Sequence, residues 1–180
     1  MGCQFACLES RVKANVLLMG LDGAGKTQLL YKLRLKRSNA AFQPTNAFNY
    51  EIVRQAYMGR KFILQMWDLA GRAELRSICR YFYNNMKTDF VFYIVSARDR
   101  SRLTTARNHL ELLRHETPME NSKFIIVLNS FASRDTERFF EITVEDIQEI
   151  FGDGLPIIKV NAKTGEGLKG FFRCISEVSS

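Results

Sequence analysis

The sequence predicts an α/β fold: a mainly parallel six-stranded sheet with one antiparallel edge hairpin and helices on both faces. Three observations lead there. Short apolar runs alternate with amphipathic stretches of helical period along nearly the whole chain. Only one pair of neighbouring runs is joined by a tight turn, so the remaining connections are long enough to return parallel strands. The first run leads straight into a glycine-rich loop, GLDGAGKT, followed by a helical pattern, QLLYKLRL.

Taken in order, ANVLLM (14–19) is the first strand and 25–35 the helix that follows the loop. YEIVRQAY (50–57) and KFILQMW (61–67) flank the turn MGRK and form the hairpin. A helix over about 73–84 precedes FVFYIV (90–95), the next strand. A long amphipathic helix over 101–116 leads to KFIIVL (123–128), and a helix over 143–151 leads to PIIKVN (156–161). The last helix spans 167–178. Strand–helix–strand repetition outside the hairpin is what makes the sheet doubly wound.

At 180 residues, 46% of them hydrophobic, the chain suits one domain with a single sizeable core, folded from about Lys13 onward. Its longest apolar runs fall far short of the roughly 20 residues needed to cross a bilayer. A formal charge of +7 suits an anionic partner, either a membrane leaflet or a nucleotide, or else a solvated basic surface. Lys and Arg are scattered without interleaved aromatics, which gives no support to nucleic-acid binding. Cys3, Cys7, Cys79 and Cys174 show no metal spacing, and no secretory leader opens the chain, so a reduced cytoplasmic setting is expected. His109 and His115, six apart in a helix, are expected at the surface.

The glycine-rich loop, Gly20 to Thr27, matches GxxxxGKT in the strand–loop–helix setting that the chemistry requires. Its amides and the helix N-terminus face a phosphate chain, Lys26 reaches the outer phosphates, and Thr27 offers magnesium an oxygen. MWDLAG (66–71) ends a buried strand with a carboxylate and a glycine three residues on. Asp68 is suited to hold magnesium through a water, and the Gly71 N–H to meet a terminal phosphate. Thr45, in FQPTNAF, stands where a third metal oxygen would come from, though it also reads as a plain loop threonine.

Together these features resemble a P-loop small GTPase, and in detail the Arf and Arf-like family. MGCQFACL is similar to that family's lipidated amino terminus, and PTNAFNYE, WDLAG, RYFYNN, ARDRSRLTTARNHLELL and NAKTGEGL follow its order over nearly the whole chain. The resemblance implies a lipidated segment over 1–12 and a G domain over 13–180. It implies GTP, GDP and Mg2+ as ligands. The phosphate contacts would come from Gly20, Asp22, Gly23, Ala24, Gly25, Lys26, Thr27, Gln28 and Gly71, and the metal ligands from Thr27, Thr45 and, via water, Asp68. It also implies base contacts from Asn129, the Ala162 N–H and Lys163. Exchange factors and effector proteins are the expected partners, a monomer the expected state, and a cytoplasmic face of Golgi or endomembranes the expected location.

The chain departs from that family at two chemically decisive places. The base reader NKxD is here Asn129, Ser130, Phe131, Ala132, so the lysine and the guanine-specific aspartate are gone. Hydrogen bonds to a charged group contribute roughly 1.5 to 3 kcal/mol each, so guanine preference is expected to weaken. Asp135 would substitute only if the loop were rebuilt. Arg72 occupies the place of the glutamine that orients the attacking water; arginine has no acceptor, so slow or absent GTP hydrolysis is expected and GTPase activity stays open. Ala47 replaces a switch glycine, and the hairpin from Asn49 to Trp67 is longer than the family's, so its coupling to the amino terminus is expected to differ.

At the amino terminus Gly2 is placed for N-myristoylation, with Ala6 where the stricter motif has Ser or Thr, and adjacent Cys3 for palmitoylation. Two acyl chains anchor stably where one does not, aided by Arg11 and Lys13. An unmodified end is the plainer reading. On function, a divergent Arf-like switch recruiting effectors in vesicle traffic is expected; the alternatives are a pseudo-GTPase interaction module with weak or unselective nucleotide binding, and, less well supported, a P-loop ATPase or nucleotide kinase.

Overall fold

The computed structural model describes residues 11–35, 48–131 and 141–178. Six strands lie in the order β2-β3-β1-β4-β5-β6. They are β1 (Arg11–Met19), β2 (Phe48–Tyr57), β3 (Arg60–Leu69), β4 (Phe90–Ser96), β5 (Lys123–Asn129) and β6 (Ile157–Val160). Only β2 runs antiparallel, against β3, and every other pairing is parallel. The hairpin turn is two residues, Met58 and Gly59, at φ 47° and 74°. Positive φ at both positions gives the twist that continues a hairpin, and Tyr57 accordingly pairs with Arg60.

The helices are α1 (Lys26–Leu35), α2 (Arg76–Asn84), α3 (Leu103–Arg114), α4 (Val144–Phe151) and α5 (Leu168–Val178). The two-residue period of β1 explains the layering. Val16 and Leu18 face a core shared with Leu29, Leu30 and Leu33 of α1 and Phe171 and Ile175 of α5. Leu17 and Met19 face a second core with Cys79 of α2, Leu110 and Leu113 of α3 and Ile147 of α4. The central strand β4 feeds both, with Phe92 stacked on Phe171 at 3.6 Å on one side and Tyr93 buried on the other.

Several boundaries differ from the sequence reading. β1 begins at Arg11, because its first three residues, charged at two of them, pair with Lys61, Phe62 and Ile63 of β3. Short 3-10 turns at Ala73–Leu75 and Arg100–Arg102 take up the starts expected for α2 and α3. His109 corrects an expectation: it is buried, not at the surface, with Nδ1 3.1 Å from the Tyr93 hydroxyl. That partner on β4 satisfies the ring where an amphipathic pattern alone predicts solvent. Among the described residues, no helix is long and apolar enough to cross a membrane.

Candidate functional site

The strand ends of β1, β3 and β5 and the loop after β6 converge around residues 20–27. Lys26 opens α1 yet is only 6% exposed, and its Nζ donates to the carbonyls of Gly20 and Leu21, both at 3.0 Å. The ammonium is thereby folded over its own loop and held at its mouth. Burial pushes its pKa below the ordinary lysine value, while the Asp68 and Asp22 carboxylates oppose that shift. A desolvated cation of this kind attracts an anion more strongly than one in water.

Thr27, next in the chain, donates its hydroxyl to Asp68 Oδ2 at 2.6 Å. Asp68 is fully buried near the end of β3 and also accepts from Asn49 Nδ2 at 3.0 Å. Asn49 can do this because the antiparallel ladder sets it directly opposite Asp68. Among the described residues no group of three His, Cys, Asp or Glu side chains could hold a metal by itself. A hydroxyl and a carboxylate at hydrogen-bond distance beside a phosphate cradle are nonetheless hard oxygen donors. They fit magnesium, which takes few protein ligands and completes its shell with phosphate and water.

Gly71 lies directly against the loop: a Cβ there would meet Asp22 N at 2.4 Å and the Leu21 carbonyl carbon at 2.5 Å. Only glycine permits that approach, and it puts the segment after β3 where a terminal phosphate would be sensed. Arg102, from the turn before α3, grips the same loop from outside. Its Nη1 donates to Asp22 Oδ1 at 2.8 Å and its Nη2 to the Asp22 carbonyl at 3.1 Å, while Asp99 Oδ2 accepts from its Nε at 2.6 Å.

At the other end of the site Asn129 is fully buried and bridges two loops. Its Nδ2 donates to the Ala24 carbonyl at 2.9 Å, and its Oδ1 accepts from the Ala162 N–H at 3.0 Å. Gly25, at φ 89°, makes room for it, since a Cβ would sit 2.3 Å from Asn129 Nδ2. Asn161 shapes the facing loop by accepting from the amides of Lys163 and Thr164, both at 3.0 Å. Lys163 is left exposed beside Ala162. This arrangement brings the glycine-rich loop, the Thr27–Asp68 oxygen pair and the Asn129–Ala162 contact to one end of the sheet.

The ADP-ribosylation factor family profile matches residues 3–179 of the sequence. The chain belongs to the ADP-ribosylation factor (Arf) family. Relatives of this Arf-family chain include the ADP-ribosylation factor-like protein 1 of Caenorhabditis elegans, 32% identical over 158 residues, covering 86% of this chain and 82% of the relative. The Drosophila melanogaster protein of the same name is 32% identical over 160 residues, with the same coverage. That of Saccharomyces cerevisiae is 29% identical over 160 residues, covering 88% and 84%. The six-stranded mixed sheet with five helices is the small-GTPase α/β fold that the sequence predicted.

Of the site residues expected from sequence, the structure gathers Gly20, Asp22, Gly23, Ala24, Gly25, Lys26, Thr27, Gln28, Asp68, Gly71, Asn129, Ala162 and Lys163 around this one cradle. Thr45, Ala132, Asp135, Gly2 and Cys3 lie outside the described residues. The Ala162 N–H, expected to face a base carbonyl, is bonded to Asn129 Oδ1. Arg72 is exposed beside Gly71. Sequence reasoning missed Asn49, Arg102 and Glu141. Glu141 is a carboxylate only 4% exposed that accepts from Ser130 Oγ at 2.6 Å and from the Phe131 N–H at 2.8 Å. No local motif marks these residues; each reaches the site through a long-range contact.

A further feature adjoins the phosphate sensor. Phe48 packs 4.3 Å from Phe82 and 5.7 Å from Trp67, and Tyr50 packs 4.5 Å from Trp67. Phe48, Tyr50, Ile78 and Tyr81 are large hydrophobics that remain exposed, Tyr81 by 72%. This aromatic strip crosses β2, β3 and α2; β3 carries Asp68 near its end, and Gly71 lies between β3 and α2.

Proposed function

We propose that this chain acts as a nucleotide-dependent switch of the Arf type, with GTP and Mg2+ as its ligands and effector recruitment at an endomembrane as its output. The observation that carries this reading is the buried Lys26–Thr27–Asp68 arrangement, which supplies one ammonium and two hard oxygens at the mouth of a glycine-rich loop. Lys26 and the loop amides bind and orient the outer phosphates. Thr27, Thr45 and, via water, Asp68 would hold magnesium, which when bound would supply positive charge to offset that of the phosphates. Gly71 donates its N–H toward the terminal phosphate, so that the segment leading to α2 changes position with the phosphate state.

The readout in this proposal is the Phe48–Trp67–Tyr81 surface. Exposed aromatics set beside a moving segment are suited to a partner that binds one state. Gly2 and Cys3 carry acyl chains that hold the switch on a membrane leaflet, as a cytoplasmic monomer in vesicle traffic. Arg72 brings no acceptor for an attacking water, so hydrolysis is slow and the switch waits on its partners.

Release of a fluorescent GTP analogue from the full chain tests this reading. Chelating magnesium should speed release at least tenfold. A rate indifferent to magnesium, or no binding at all, contradicts it. One observation favours a second reading, an interaction module with unselective nucleotide binding: the Ser130 hydroxyl is turned onto Glu141.

A further inference from the structure

Among the described residues at the end of β5, the polar groups that would meet a base edge are already engaged. Both amide atoms of Asn129 have protein partners, and the Ser130 hydroxyl donates to Glu141. Next to them stands an aromatic side chain, Phe131. The Phe131 ring reaches the phosphate loop so closely that a Cβ on Gly25 would meet its Cζ at 3.2 Å.

That ring is held from several directions. The Phe131 N–H donates to Glu141 Oε1 at 2.8 Å, and its carbonyl accepts from Arg98 Nη2 at 3.1 Å. The Arg98 guanidinium carbon lies 5.8 Å from the ring centroid, within cation–π range. Arg98 Nε is itself 3.9 Å from Glu141 Oε1. A buried carboxylate and an arginine thus fix one half-buried phenyl ring at the edge of a phosphate cradle. Nothing in the core requires this, because the ring belongs to neither hydrophobic cluster.

We propose that Phe131 is the base platform of this site: a purine is taken by its face against the ring, with its edge unread, so guanine and adenine triphosphates are both accepted. The inference rests on the nucleotide-binding reading above and changes its ligand class from guanine nucleotides to purine nucleotides. Stacking is tolerant of base identity because every base presents a π-face. Glu141 and Arg98 are positioning residues for the ring and make no contact with the base.

The test is calorimetric titration of the nucleotide-stripped full chain, in magnesium, with GTP, ATP and inorganic tripolyphosphate. Affinities for GTP and ATP should agree within about tenfold, following the tolerance of stacking. Phe131→Ala should weaken both by about 5- to 150-fold and leave tripolyphosphate unchanged. Phe131→Leu keeps the bulk without the π-face and should act in the same direction, which separates stacking from packing should the alanine chain fold poorly. Phe131→Trp should restore both nucleotides. A preference for GTP over ATP of a hundredfold or more, or nucleotide affinities unmoved in Phe131→Leu, overturns the platform while sparing the switch. Failure of wild-type chain to bind even tripolyphosphate overturns both.

Discussion

Replacing Lys26 by methionine isolates the charge at the centre of the phosphate site. Methionine keeps most of the stem and removes the ammonium that donates to Gly20 and Leu21, both at 3.0 Å. On the folding side two effects oppose each other. The two carbonyls lose their donor, at about 1 to 3 kcal/mol for each group that stays unsatisfied. A cation only 6% exposed is also removed, and its desolvation penalty of several kcal/mol goes with it. The net change should lie within about 2 kcal/mol, a shift of a few degrees in a domain of this size.

Binding has no such offset. One or two charge-assisted hydrogen bonds to phosphate oxygens contribute together about 2 to 5 kcal/mol, so triphosphate affinity should fall by about 30-fold to a few thousandfold. Titrating wild type and Lys26→Met with a non-hydrolysable GTP analogue, beside their thermal midpoints, reads both sides. A folded variant whose affinity stays within threefold of wild type would refute the placement of Lys26 on the phosphates.

Other outcomes follow from the same geometry. Gly71→Ala puts a Cβ 2.4 Å from Asp22 N, against backbone that cannot yield cheaply. It should destabilise the fold by about 1 to 3 kcal/mol, and an unchanged thermal midpoint would contradict the contact. Arg72→Gln, at an exposed position, should leave folding intact and raise single-turnover GTP hydrolysis at least tenfold; equal rates would show that the arginine does not limit the reaction. At the start of α4, the hydrogen bond from Arg100 first, then that from the Thr143 amide, holds the Asp146 carboxyl down to about 2. Its folded pKa lies below the ordinary 3.8, so its contribution is complete above that value and is lost as pH falls toward 2. Acid titration of helicity should therefore be less steep in Asp146→Asn over that range, and identical curves would contradict the capping role.

Local features were the legible ones. GLDGAGKT declared its loop because GxxxxGKT between a strand and a helix places the two glycines, the lysine and the threonine that a P-loop phosphate cradle uses. The turn at Met58 and Gly59 was visible because a two-residue connection between apolar runs admits little else. Asp68 was recognisable by its place near the end of a buried strand. Four other features could not be read from neighbouring residues. The start of β1 at Arg11 is fixed by its ladder with β3 and not by apolar alternation. His109 is buried with its ring nitrogen against the Tyr93 hydroxyl on β4, a partner far from it in sequence. Arg102 reaches Asp22 from 80 positions away, and Glu141 pins Ser130 and Phe131 from 11 and 10 positions on. The sequence therefore showed the departure from NKxD at Ser130 and Ala132, while the contacts of Ser130 and Phe131 with Glu141 came only with the fold.

In the proposed switch, the phosphate state of the ligand moves the surface that partners meet. Amide hydrogen exchange of the full chain, loaded in turn with GDP and with a non-hydrolysable GTP analogue in magnesium, measures this directly. A difference in protection should be confined to the residues after Gly71, to α2 and to the β2 edge carrying Phe48 and Tyr50, with β4 and β5 unchanged. Identical protection at those segments in the two loaded states would contradict it.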